Sequence, residues 1–249
     1  MKKTLIFLFM ACALTATAQK RPWAYNLSFG GELKSGNVNT FVFNNRGGVE
    51  RNDSLLSFSG NYGIVYGRKD HVEYDRGLTA SVKADLWQYD KWSPFVLFSY
   101  LNNKFKGFEF KFNGLMGAKY RIYTIPGRCD YSISAAYVQE WVEYFAQDRH
   151  NERLRPKLSR LSLRFKIKQK ISDVVSILHM TFYQPSLMEL DGFKSFKEDY
   201  IITSTTSIQN KIGKNIFLDV NLDHEYRSVV PQKVKNTDII MSVVLRVKF

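Results

Sequence analysis

The sequence predicts an all-β protein: a single antiparallel β-barrel of twelve transmembrane strands. Three observations lead to this prediction. Segments of about ten residues alternate between apolar and polar side chains and are separated by turn signals. Aromatic residues make up 15% of the chain, although its mean hydropathy is only −0.27. After the N-terminal region, no segment contains the run of about 20 apolar residues that a membrane-spanning helix needs.

The first 18 residues are predicted to be a secretory signal peptide, so the barrel domain comprises residues 19–249. Lys2 and Lys3 form a positive n-region, residues 5–14 an apolar h-region, and residues 16–18 (Ala-Thr-Ala) a small-residue cleavage site. The apolar run is shorter than the ~20 residues of a membrane anchor. We therefore expect export, with the bacterial outer membrane as the destination.

Most of the predicted strands alternate clearly. In the first, Tyr25, Leu27 and Phe29 share one face, whereas Asn26 and Ser28 share the other. The second alternates poorly. The predicted strands lie near residues 25–34, 38–50, 56–66, 72–86, 93–101, 109–123, 129–144, 160–168, 174–184, 199–211, 216–227 and 237–249.

The eighth strand has four charged residues on one face. Its apolar positions are Leu161, Leu163, Phe165 and Ile167, and its charged positions are Arg160, Arg164, Lys166 and Lys168. A polar barrel lumen accommodates such charges by pairing them across strands, which favours a barrel over a soluble β-sandwich. We expect Asp219 to lie near Arg246, and Asp130 near Lys168 and Lys170.

The last strand ends the chain on an aromatic residue. Its outward positions are Ile239, Met241, Val243, Leu245, Val247 and Phe249. Because the barrel assembly machinery must recognise this strand before the barrel closes, Phe249 is the predicted assembly signal. Cys129 is the only cysteine left after the signal peptide is removed with Cys12, so no intrachain disulfide is expected.

The chain is basic, with a net charge of +13 that falls to +11 once Lys2 and Lys3 are removed. Export argues against nucleic acid as the partner, and favours outer-membrane lipids and lipopolysaccharide phosphates. One predicted external loop contains the candidate contacts for these phosphates: Arg149, Arg153, Arg155 and Lys157. The alternative is a solvated loop in which the acidic Asp148 and Glu152 pair with these residues.

No catalytic motif, cofactor motif or metal-ligand spacing is found, and the chain is predicted not to be an enzyme. A lipid-modifying barrel needs a nucleophile on its outer wall, as in outer-membrane phospholipases, where His and Ser are two residues apart. Here His179 is followed by Thr181, and both are expected to face the lumen. His224 and Glu225 are adjacent on a strand, so they point to opposite faces and do not share a metal ion.

Three short segments resemble the salt-induced outer-membrane protein family (YdiY-like), a domain family of unknown function. They are an early Gly36-Asn37 turn, Ser93-Pro94-Phe95 opening a middle strand, and Tyr183-Gln184-Pro185 late in the chain. The resemblance runs from about Tyr25 to Phe249 and implies a barrel in the outer membrane. It implies no catalytic residues. The Lys/Arg-rich eighth strand is a departure from the family.

The sequence thus predicts an outer-membrane barrel of uncharacterised role, structural or stress-related. Two alternatives stay open: a passive pore for small solutes, and a lipid-modifying enzyme. The long charged side chains that face inward can pair across the lumen, which predicts low or no steady conductance.

We expect the signal peptidase to cut between Ala18 and Gln19, because the small-residue motif follows the apolar region directly. Mass spectrometry of the mature protein should give a chain that begins at Gln19. A mature chain that retains Met1 would contradict the predicted export.

Overall fold

The described residues of the computed structural model form twelve antiparallel strands that close into one barrel. The structure describes residues 23–35, 40–69, 72–103, 108–144, 156–188, 198–230 and 234–249. The strands are β1 (Trp23–Ser35), β2 (Thr40–Arg51), β3 (Leu56–Lys69), β4 (Val72–Leu86), β5 (Trp92–Asn103), β6 (Phe108–Ile125), β7 (Cys129–Tyr144), β8 (Lys157–Lys170), β9 (Val175–Pro185), β10 (Tyr200–Lys211), β11 (Ile216–Arg227) and β12 (Thr237–Lys248). The predicted fold class is confirmed. Within the described residues, no helix is long and apolar enough to span a membrane.

The two ends of the barrel differ in the length of their connections. We name the end where β1 begins and β12 finishes the turn end. The connections between strands at the turn end are three to five residues long. The opposite end, the loop end, has three long connections in the second half of the chain, residues 145–156, 186–199 and 228–236, and three short ones, residues 36–39, 70–71 and 104–107. Short turns at one end and long loops at the other are typical of outer-membrane barrels.

Each strand presents alternate residues to the outside and to the lumen, and side-chain exposure separates the two faces. On β8, Leu163 and Phe165 are each 41% exposed, whereas Arg160 and Ser162 are 5% and 4% exposed. Apolar side chains therefore cover most of the outer wall and polar ones line most of the lumen. This distribution is the reverse of that in a soluble protein, and it agrees with the predicted alternation.

The barrel is closed by a seam between the two ends of the chain. β1 pairs antiparallel with β12 from Asn26 opposite Lys248 to Ser35 opposite Ile239. Beyond the strand, the Tyr25 and Phe249 backbones exchange hydrogen bonds in both directions, at 3.3 and 3.0 Å. The last residue of the chain therefore takes part in the ladder that seals the wall.

The two faces of β8 should respond differently to a change in charge. Leu163→Arg places a charge on the apolar outer wall, which costs about 2–4 kcal/mol where that wall meets lipid. Arg164→Leu is the matched control, because it removes a charge from the lumen side of the same strand. We expect urea unfolding in lipid vesicles to show a much larger loss of stability for Leu163→Arg. Equal losses would mean that the faces are assigned wrongly.

Candidate functional site

The lumen contains a cavity of about 820 Å³ with both polar and apolar side chains in its wall. Hydroxyl and amide side chains of many strands line it, including Ser81, Asn113, Thr205 and Asn221. A space of this size with polar groups in its wall accommodates water or a small polar solute. Because the cavity remains open between the lumen side chains, these side chains do not fill the interior completely.

Near the loop end, a buried network of charges joins several strands. Arg160 of β8 donates from Nε to Glu140 at 3.2 Å and from Nη2 to Asp199 at 2.9 Å. Glu140 of β7 also accepts a 2.6 Å hydrogen bond from Lys111 of β6. These side chains are almost fully buried, so each charge needs its oppositely charged partner to offset the free energy lost when it is removed from water. We name these four residues the loop-end network.

The loop-end network also interacts electrostatically with a charged side chain of β11, on a distant part of the barrel wall. Arg227 of β11, which is ion-paired with Glu225, interacts electrostatically with Lys111. β6 and β11 are five strands apart in the barrel, so this interaction crosses the lumen. The lumen is therefore narrowed by charged side chains near the loop end.

Toward the turn end, the lumen wall of β4, β6 and β8 is strongly basic. We name as the basic patch the six side chains Lys83, Lys119, Arg121, Arg164, Lys166 and Lys168. Lys166 interacts electrostatically with Arg164, Lys168 and Lys83, which shows that basic side chains from β4 and β8 share one space. The carboxylates that face the patch are Asp85, paired with Lys83 at 2.5 Å, and Asp130, paired with Arg121 at 3.2 Å.

Three members of the basic patch form no ion pair among the described residues: Lys119, Arg164 and Lys168. Arg164 instead lies over the Phe182 ring, with its Cζ 5.9 Å from the ring centroid. Its buried Nε has no hydrogen-bond partner in the described part of the chain. Such cations leave a positive potential in the lumen that an anion can neutralise.

The ion pairs expected from the sequence are confirmed in one case and corrected in the other. Arg246 holds Asp219 with two hydrogen bonds, at 2.6 and 3.0 Å, as expected. Asp130 does lie opposite Lys168 in the register, but its ion pairs are with Arg121 and Lys166. Lys170 extends instead to Asp173 in the following turn, at 2.6 Å.

The expected position of His179 and Thr181 in the lumen is wrong. In the register, His179 lies opposite Ile167 of β8, and Thr181 lies opposite Phe165. Because Phe165 is an exposed outer-wall residue, His179 and Thr181 are on the outer wall as well. The central lumen positions of β9 are taken by Leu178, Met180 and Phe182, so this part of the strand carries apolar side chains on its inner face.

The hydroxyl groups around His179 engage both nitrogens of its ring. His179 Nδ1 lies 2.9 Å from Thr206 Oγ1 of β10, and Nε2 lies 3.0 Å from Thr181 Oγ1. Thr181 Oγ1 is also 3.5 Å from Ser204 Oγ. We name His179, Thr181, Ser204 and Thr206 the outer-wall patch. Sequence reasoning missed it because its members come from two strands and only the pairing of β9 with β10 brings them together.

The other site residues predicted from the sequence have mixed outcomes. Arg149, Arg153 and Arg155 lie outside the described residues. Lys157 is the exposed first residue of β8 at the loop end, which leaves its predicted contact with lipopolysaccharide untested. Phe249 is 72% exposed at the turn end.

Asp219, Asp223 and Glu225 of β11 share the lumen face, and His224 is on the other face. Thr205 of β10 lies opposite Asp223 and donates to its carboxylate at 2.6 Å. Among the described residues, no group of three or more His, Cys, Asp or Glu side chains is arranged to hold a metal ion.

Residues 27–249 match the model of a family described as a protein of unknown function, DUF481. Because this match covers most of the sequence, the chain belongs to the DUF481 family. The membership confirms the expectation of an uncharacterised family. A comparison with curated proteins finds no match.

Several solved structures share the fold. The NanC porin has a TM-score of 0.60 at 12% identity, over 90% of this chain and 100% of that one. The KdgM porin, solved in complex with disordered oligogalacturonate, has a TM-score of 0.51 at 14% identity, over 90% and 99%. The translocator domain of the autotransporter NalP from Neisseria meningitidis has a TM-score of 0.52 at 9% identity, over 100% and 95%. At these identities, the likeness concerns the fold alone.

Arg160 should contribute strongly to stability, because its removal leaves the buried carboxylate of Asp199 without its ion-pair partner. We expect Arg160→Met to lower the free energy of unfolding by about 3–5 kcal/mol. Lys170→Met is the matched control, since it breaks an exposed ion pair that is worth at most about 1 kcal/mol. Denaturant unfolding in detergent micelles measures both. Similar small losses would show that the loop-end network does not stabilise the barrel.

Proposed function

We propose that this DUF481 barrel lies in the bacterial outer membrane and forms a narrow channel for anionic solutes. The observation that carries the proposal is the basic patch, in which Lys119, Arg164 and Lys168 face the lumen without an ion pair among the described residues. Lys119 and Arg164 are also partly buried. A barrel with a purely structural role gains nothing from partly buried cations that have no ion-pair partner. An anion in transit compensates them.

The arrangement of charged side chains in the lumen favours the selective passage of anionic solutes over the free passage of all small solutes. Lys83 and Lys166 side chains are 21% and 28% exposed, so solutes in the lumen can reach them. The loop-end network narrows the path above them. The conductance is therefore small, and the sign of the permeant ion is set by the basic patch.

The fold neighbours are consistent with this role. The KdgM structure contains oligogalacturonate, a chain of sugars that each bear a carboxylate. A row of carboxylates is the kind of solute that six basic side chains on three alternate strands attract. For this chain, the proposed solute class is therefore small acidic molecules, including acidic sugars.

The surfaces outside the lumen have proposed partners too. Outer-membrane lipids cover the apolar outer wall. The barrel assembly machinery recognises the last strand through Phe249. At the loop end, Lys157 together with Arg149, Arg153 and Arg155 contacts the phosphates of lipopolysaccharide.

A planar-bilayer experiment in a KCl gradient tests the channel. We expect a small conductance whose reversal potential lies closer to the equilibrium potential of chloride than to that of potassium. Replacing Lys119, Arg164 and Lys168 together with Gln should lower the chloride-over-potassium permeability ratio roughly 10-fold, since a charged cleft concentrates counter-ions by that order. The shift should be largest at low salt, where screening is weakest.

The matched control replaces three exposed basic residues outside the lumen, Lys91, Lys157 and Lys214, with Gln. It makes the same change in net charge, so its reversal potential should stay at the wild-type value. Absence of any conductance would contradict the proposed channel and favour a structural role. A large unselective conductance would overturn the role of the basic patch.

A further inference from the structure

The outer-wall patch is a group of polar side chains on a largely apolar surface, where His224 of β11 lies opposite Ser204. Ile177, Ile208 and Leu222 lie around it on the same wall. Polar side chains on a membrane-facing surface are costly and usually have a function. Hydrogen bonds within the patch reduce this cost, but the same bonds arrange its groups in a chemically specific way.

The specific arrangement is a hydroxyl, an imidazole and a second hydroxyl in a row. In the tautomer with its proton on Nδ1, His179 donates to Thr206 Oγ1 at 2.9 Å and accepts from Thr181 at Nε2 at 3.0 Å. A nucleophilic hydroxyl bonded to an imidazole base, which a third group orients, is the geometry of acyl-transfer sites. Thr206 is the orienting group here.

The depth of the patch on the wall suits an ester substrate. Tyr183, Tyr200 and Tyr226 form a row of neighbouring rings on the loop-end side of the patch, with centroids 6.0 and 5.8 Å apart. Aromatic rows of this kind mark the interface between the apolar core of the membrane and the headgroups. Thr181 lies two residues from Tyr183 on β9, just inside this interface, where the ester linkages of lipids lie.

We propose that Thr181 and His179 form a nucleophile and base that hydrolyse an acyl ester of a membrane lipid. This proposal does not depend on conduction through the lumen. It meets the requirement for a lipid-modifying barrel, a nucleophile on the outer wall, which the predicted register had excluded.

The reaction proceeds in two halves. Thr181 Oγ1 attacks the acyl carbonyl carbon while His179 Nε2 takes its proton. The Ser204 hydroxyl, whose Oγ lies 3.5 Å from Thr181 Oγ1, donates to the carbonyl oxygen. The bond to the glycerol oxygen then breaks, and His179 returns the proton to that oxygen. A water molecule attacks the Thr181 ester by the same route, which releases the fatty acid and restores the hydroxyl. Thr206 positions the His179 ring throughout.

The test uses the mature protein folded in mixed micelles with a phospholipid that bears a fluorogenic acyl ester. Wild-type protein should release the fluorophore, and Thr181→Ala should reduce the rate at least about 100-fold, as expected for loss of the nucleophile. Thr181→Ser should keep the activity. Thr203→Ala, the same change on the lumen face of β10, should leave it unchanged. The mobility of unheated samples on gels verifies that each variant is folded.

Labelling with an alkyl fluorophosphonate gives a second readout that does not depend on turnover. Mass spectrometry should find the adduct on Thr181 in wild-type protein and no adduct at this position in His179→Asn. An adduct on Ser204 would overturn the assignment of the nucleophile. Wild-type protein that neither hydrolyses the ester nor takes up the label, or a Thr181→Ala variant that is as active as wild type, would overturn the proposal.

Discussion

The rest of the structure depends on one constraint: the backbone N–H and C=O groups of the wall must be paired by neighbouring strands. Lipid supplies no hydrogen bonds, so a sheet in a membrane is stable only when it closes on itself. The pairing of β1 with β12 achieves this closure, and a continuous ladder then fixes the register of each strand relative to its neighbours. The register in turn decides which side chains face the lumen and which face outward.

This dependence explains what could be predicted from the sequence. On β8, apolar and polar residues alternate without exception from Arg160 to Lys168, so both faces were evident from the pattern alone. On β9, both faces carry large apolar side chains, since Ile177 and Tyr183 lie outside whereas Leu178 and Phe182 lie inside. Hydrophobicity then no longer distinguishes the faces. The inference that put His179 in the lumen followed polarity, whereas the orientation is set by pairing with β8 and β10.

The same limit applies to the charges. The proximity of Asp219 and Arg246 could be inferred because they belong to one hairpin, so folding that hairpin brings them together. The loop-end network joins Lys111, Glu140 and Asp199 through Arg160, and these residues come from distant parts of the chain. No local pattern specifies such a network. It forms because a closed wall directs the long side chains of several strands into one narrow space, where a buried charge is stable only beside its opposite.

The seam between β1 and β12 also has a consequence for how the chain is made. The strand that is synthesised first has its partner in the strand that is synthesised last, so one edge of the growing sheet must stay unpaired until the whole chain is available. An exposed edge invites pairing with other chains, and contacts between the two ends of a sequence form slowly. A chain that loses either terminal strand would therefore yield an open sheet with two reactive edges, whereas a change of length in a loop between two inner strands leaves the seam intact.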